Sequence, residues 1–168
     1  MSLRFRNLDV TPDAPVTAWP TEGVIAAVER GYLRDWRRLA AAVRADPWGP
    51  VARRLEEALA VSQPYGTTVL LRRALDRARS AAEADERTEV ARRVRALLTA
   101  SGLTGGAFAE AIGTSAPRLS TYLSGKVAPS STLLVRMERV AGRPATHVTP
   151  DPAAVQAGAG RTTLPVRR

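Results

Sequence analysis

Ser115, Arg118, Ser120, Thr121 and Ser124 bring hydroxyl groups and a guanidinium into one short stretch, with Lys126 just beyond it. Such groups donate and accept hydrogen bonds and carry positive charge, which is the chemistry of recognition. None has a general base beside it, so bond breaking is not indicated. The single histidine, His147, lies in a Pro-rich tail, and no Ser/His/Asp set can assemble around it. Gly105-Gly106 lacks the lysine and the spacing of a phosphate-binding loop. The carboxylates are scattered among arginines and do not stand as isolated pairs. The sequence therefore predicts no enzyme, no catalytic residue and no cofactor. It has no cysteine, and no partners gather around His147, so no metal site is expected either.

Those side chains need short, sharply bounded elements to present them. Thr114 or Ser115 is a suitable N-cap, and Pro117 then falls in the first helical turn, where its missing N–H costs nothing. Leu119, Tyr122 and Leu123 stand at i, i+3 and i+4 and share one apolar face. That leaves Ser115, Ala116, Arg118, Thr121 and Ser124 on the other faces, and Gly125 as a good C′ residue. Upstream, Thr104 caps a second short helix with Phe108, Ala109 and Ile112 as its stripe and Gly113 as its stop. Only Gly113 to Ser115 separate the two helices, too few residues for an antiparallel pair, so a helix-turn-helix is predicted. Ser130 or Ser131 opens a further helix with Leu134, Met137 and Val140/Ala141 inward and Gly142 as stop.

The run Leu103-Thr104, Phe108-Ala109, Ile112-Gly113, Ser115, Leu119-Ser120, Tyr122-Leu123, Gly125-Lys126, Pro129-Ser130 and Leu133-Leu134 resembles the Cro/CI–Xre helix-turn-helix domain. The resemblance covers about residues 89–142 and none of the chain before them. It implies a lambda-repressor-like five-helix domain that binds double-stranded DNA, usually as a homodimer. The recognition helix of such a domain enters the major groove by its N-terminal end. Ser115, Ala116, Pro117, Arg118 and Thr121 are then the candidates for base edges. Arg118 would take a guanine or a phosphate. Thr104, Gly105 and Gly106 would offer amides to a flanking phosphate, and Ser120, Ser124 and Lys126 match positions near the DNA backbone. Gly105 stands where the family often has Gln, and Ala116 and Pro117 where many members have longer polar side chains. With so small a front, useful specificity needs two domains on a two-fold operator.

The chain has 168 residues, which allows one or two small domains, and its formal net charge is +9, nearly all of it from arginine. A basic balance favours polyanions. Alanine- and arginine-rich runs with few β-branched clusters predict an all-α protein. No run approaches a membrane span and no signal-peptide core opens the chain, so a cytoplasmic protein without membrane contact is expected.

Along the chain, residues 1–19 read as an extended arm that docks through Leu3, Phe5, Leu8 and Val10, with Arg4 and Arg6 offset by Asp9 and Asp13; the alternative is a basic arm whose Arg4 and Arg6 reach DNA. Residues 20–82 read as an N-terminal helical bundle for dimerisation or partner binding. Its first helix has Thr21 as cap and Val24, Ile25 and Val28 as stripe. The second runs from about Leu33 to Ala45 with Trp36, Leu39, Ala40 and Val43 inward. The third is capped by Asp46 before Pro47 and buries Val51, Leu55, Ala58 and Leu59. Trp19, Trp36 and Trp48 are expected in the core, and the arginines at 37, 38, 53 and 54 on a solvated face. Residues 67–100 contain no Gly or Pro and read as one long helix. Its polar middle, 83–88, is a helical connector from the bundle to the domain at 89–142. Residues 143–168 are too poor in apolar side chains to order and read as a disordered basic tail. The reading that results is a sequence-specific DNA-binding transcriptional regulator that represses by binding its operator as a homodimer; the alternative is an antitoxin whose N-terminal bundle neutralises a toxin while its helix-turn-helix autoregulates the operon.

Overall fold

The computed structural model describes residues 3–63 and 66–142. The tail reading, with His147, Arg161, Arg167 and Arg168, lies outside the described residues. The described residues divide into two compact units: those up to Arg92 with Ser124–Ala128, and Arg93–Leu123 with those from Pro129 on. The helices are α1 (Thr21–Arg30), α2 (Leu33–Ala45), α3 (Pro50–Val61), α4 (Thr67–Ser101), α5 (Gly105–Ile112), α6 (Ala116–Leu123) and α7 (Ser131–Ala141), preceded by a 3-10 turn at Val16–Ala18. The described residues contain no strand, so the all-α expectation holds. Among the described residues the C-terminal domain has four helical segments, the end of α4 with α5, α6 and α7, where the resemblance implies five.

In the first unit α1 packs on α3, and α2 packs on both. The core is Trp19, Val24, Val28, Leu39, Val43, Leu55 and Leu59, joined by Leu71 and Leu75 from the first turns of α4. Each such side chain contributes about 1.5–3 kcal/mol on burial. Three of the four expected arm residues dock: Leu3 is buried, Phe5 and Val10 pack against the core, and Phe5 meets Trp19 edge-on with ring centroids 5.3 Å apart, while Leu8 stays half-buried outside the core cluster.

Four details differ from the sequence reading. Thr21 is the first helical residue and no cap; Pro20 holds the N-cap position, and the Thr21 hydroxyl donates to Glu57 at 3.0 Å. The third helix starts at Pro50, not Pro47, because residues 46–49 form a turn closed by the Gly49 amide on the Asp46 carbonyl at 3.3 Å. A Cβ at Gly49 would stand against the Asp46 carboxylate, which would have to turn aside. Arg38 and Arg54 are not merely solvated. Arg38 donates to the carbonyls of Pro12 (2.6 Å) and Ala14 (2.5 Å) and lies 4.8 Å over the Trp19 ring, while Arg54 donates to the carbonyls of Thr17 and Trp19, both at 3.0 Å. An irregular segment lacks ladder partners for its carbonyls, and these guanidiniums supply them. Finally, Trp19 is fully buried and Trp36 half-buried, but Trp48 is 48% exposed. The Arg79 guanidinium covers its ring at 4.9 Å and pairs twice with Glu56. The hydrogen bonds from Arg79 hold the Glu56 carboxyl below its usual range.

α4 is one unbroken helix of 35 residues. Residues 83–89 are exposed on every side, and pairs such as Glu83–Arg87 (3.9 Å) and Glu89–Arg92 lie along this stretch. The second unit has its own core: Val94, Phe108, Ala109, Ile112, Leu119, Tyr122 and Met137 are buried. α5 packs against α6 and against α7, and an ion pair of 2.6 Å joins Arg93 to Glu138 of α7. Ser101, also buried, donates to the Leu98 carbonyl and accepts from the Leu103 amide, which turns the chain out of α4.

Candidate nucleic-acid interface

Two short helices and the turn between them build the site. The Thr104 hydroxyl accepts the Ala107 amide at 3.3 Å and so caps α5. At the other end Gly113 takes φ +75°, and its amide reaches the carbonyls of Ala109 and Glu110. The Thr114 amide closes on the Ala109 carbonyl at 2.9 Å. The chain then needs a new cap at once, and Ser115 provides it: its hydroxyl accepts the Arg118 amide at 3.4 Å, and its carbonyl the Leu119 amide at 2.9 Å. Of the two caps read from the sequence, Ser115 is the one used. The left-handed conformation at Gly113 penalises any Cβ by about 1–2 kcal/mol. Gly113→Ala is expected to destabilise the second unit by that amount, as measured by urea unfolding followed by helical circular dichroism.

The buried face of α6 is Leu119 and Tyr122. Ala116, Pro117, Arg118 and Ser120 are exposed, Thr121 is half-exposed, and Ser115 stands exposed at the helix entry. The Thr121 hydroxyl donates to the Arg118 carbonyl at 2.7 Å. Arg118 itself donates from Nε to the Tyr122 hydroxyl at 2.8 Å, with its guanidinium 5.9 Å from the ring centroid. That bond engages one nitrogen and leaves the two terminal nitrogens without a partner among the described residues. A guanidinium presented this way retains the fork that matches a phosphate or a guanine edge.

Thr104, Gly105 and Gly106 are exposed at the start of α5, and a Cβ at either glycine would meet open space. Their amides belong to the first turn, where no intrahelical acceptor exists. Ser124 and Lys126 are exposed in the segment after α6, on either side of Gly125 at φ +73°. Sequence reasoning missed two features. The Arg118–Tyr122 bond was foreshadowed only by their i,i+4 spacing. Arg136 of α7 lies beside the turn, its Nη1 3.7 Å from where a Gly113 Cβ would stand, and no spacing in the chain announces that approach.

Among the described residues no group of His, Asp or Glu is placed to hold a metal, and no helix is long and apolar enough to cross a membrane. Residues 94–148 match the family model described as helix-turn-helix. No curated protein and no solved structure matches the chain. The family is a DNA-binding regulatory one and not catalytic. With the capped turn between α5 and α6 and the polar front of α6, that match identifies the C-terminal part of the chain as a helix-turn-helix DNA-binding domain of the Cro/CI type, the domain of a transcription regulator.

Proposed function

We propose that the protein is a cytoplasmic transcriptional repressor that binds a two-fold operator as a homodimer and lays the N-terminal end of α6 in the major groove. Residues 89–142 are its reading domain and residues 20–82 its dimerisation or partner-binding bundle. Ser115, Ala116, Pro117, Arg118 and Thr121 meet base edges. Thr104, Gly105, Gly106, Ser120, Ser124 and Lys126 meet the phosphate backbone. The observation that carries this reading is the bond from Arg118 Nε to the Tyr122 hydroxyl. It restricts a long side chain before any ligand arrives, which lowers the entropy lost on binding.

Binding to the protein's own promoter fragment and to an unrelated fragment, across a salt series, tests the proposal. Phosphate contacts make the logarithm of affinity fall linearly with that of salt, by about 0.9 for each phosphate neutralised on B-DNA. The promoter is expected to bind much more tightly at moderate salt, with a symmetric footprint. Equal affinities that fall together with salt would leave only the +9 charge acting and refute specific regulation.

A second reading, the antitoxin, is favoured by apolar side chains that the first unit leaves in solvent: Leu33 is 56% exposed, Val61 70% and Leu70 62%. A toxin docked on the bundle would cover such residues. A short reading frame overlapping the gene, whose product is toxic alone and neutralised by this chain, distinguishes the two.

A further inference from the structure

The docked arm creates a second basic feature, in the first unit. Leu3 is buried and Phe5 turns into the core against Trp19, so Arg4 and Arg6, on either side of Phe5, are left exposed. Asn7 follows at φ +56°, a left-handed bend that asparagine tolerates. Arg30 stands in the last turn of α1 and Tyr32 at the entry of α2. Leu3, Arg4, Phe5, Arg6, Arg30 and Tyr32 line one open cavity of about 430 Å³.

Its charge is unbalanced. No carboxylate lines it, and Arg4, Arg6 and Arg30 have neither side-chain hydrogen bond nor ion pair among the described residues. Five other arginines of the bundle are engaged, Arg34 with Asp13, Arg38 and Arg54 with carbonyls of the arm, Arg72 with the Leu59 carbonyl and Arg79 with Glu56; Arg37, Arg44 and Arg53 are not, but they do not converge on a cavity. The nearby Asp35 carboxylate is occupied by the Tyr32 amide at 3.1 Å. Three like charges around one concavity repel each other unless an anion joins them. Guanidinium forks suit phosphate oxygens, and the volume falls within the range of small-ligand sites, about 300–1,000 Å³. Tyr32, 41% exposed, adds an aromatic surface at the rim.

We propose that this cavity binds a nucleoside phosphate, with Arg4, Arg6 and Arg30 on the phosphates and the base against Tyr32. A duplex backbone is the other source of phosphate, but the concavity and its aromatic rim suit a small ligand better.

Calorimetric titration of the full chain with ATP is the test, with pyrophosphate and adenosine as partial probes. One-to-one binding of ATP is expected, weaker binding of pyrophosphate and the weakest of adenosine. The double variant Arg6→Gln/Arg30→Gln should weaken ATP by roughly tenfold or more, since hydrogen bonds to charged groups are strong. Arg37→Gln/Arg53→Gln removes the same charge from exposed positions outside the cavity and should leave ATP affinity unchanged; circular dichroism verifies that both variants fold. Absence of ATP binding overturns the proposal. So does equal weakening in both double variants, which would make net charge the cause. If Arg6→Gln/Arg30→Gln weakens an unrelated duplex and leaves ATP affinity intact, the arginines serve a DNA backbone and the nucleotide site is refuted.

Discussion

Arg118→Ala is expected to remove most of the discrimination between operator and unrelated DNA. A bidentate guanidinium on a guanine is worth about 1–3 kcal/mol, or roughly five- to 150-fold in affinity for each domain on the operator. Non-specific DNA should lose far less, because it loses at most a backbone contact. Titration of both fragments at one fixed salt concentration reads the difference, with circular dichroism to verify folding. Tyr122→Phe sharpens the assignment. It keeps the buried ring and removes only the hydroxyl that receives Arg118 Nε. Its expected cost is about 0.5–1.5 kcal/mol of operator affinity, the net worth of one hydrogen bond. If Arg118→Ala keeps full discrimination, Arg118 does not read a base and the proposed seating of α6 is wrong.

Trp19→Ala is expected to be the most damaging single change to stability. The side chain is fully buried, its indole N–H donates to the Ala14 carbonyl at 3.1 Å, Phe5 abuts its edge and Arg38 covers its face. Truncation leaves a cavity and undocks the arm, and large aromatic-to-alanine changes in cores cost about 3–5 kcal/mol. Native domains are stable by only about 5–15 kcal/mol, so the first unit should approach its unfolding midpoint at much lower urea. Far-ultraviolet circular dichroism against urea measures the loss. A change below about 1 kcal/mol, the range of ordinary surface substitutions, would contradict the central place of Trp19 in this core.

The C-terminal half was the more legible in sequence, and for a physical reason. Its boundaries are set by local chemistry: the Thr104 cap, the left-handed Gly113 and the Ser115 and Ser130 caps act within three or four residues of themselves. The long helix was legible too, because nothing from Thr67 to Ser101 interrupts it. The N-terminal details were harder because they depend on distant partners. Asp46-Pro47 carries the local signature of a helix start, yet the helix begins at Pro50, itself a first-turn proline, after a turn closed from Gly49 to Asp46. Arg38 and Arg54 look like surface charge until the 12–19 segment brings its carbonyls to them across 24 to 37 residues of chain. Trp48 reads as core by type, but a guanidinium, not a helix, covers it. In the candidate interface the types and order of the residues were legible; the Arg118–Tyr122 bond and the approach of Arg136 required coordinates.

The tryptophans also give the molecule a built-in optical division. Trp19, Trp36 and Trp48 all belong to the first unit, and the only aromatic side chains in the described part of the second are Phe108 and Tyr122. Indole emission therefore reports on the bundle alone. Trp19, sealed from water, should emit at the blue end, while Trp48 emits to the red and is the first to meet a dissolved quencher. Acrylamide, a neutral quencher, should therefore reach Trp48 while leaving Trp19 bright. One cuvette thus follows the bundle by its light while the helical signal follows both units, so their melting can be told apart without cutting the chain.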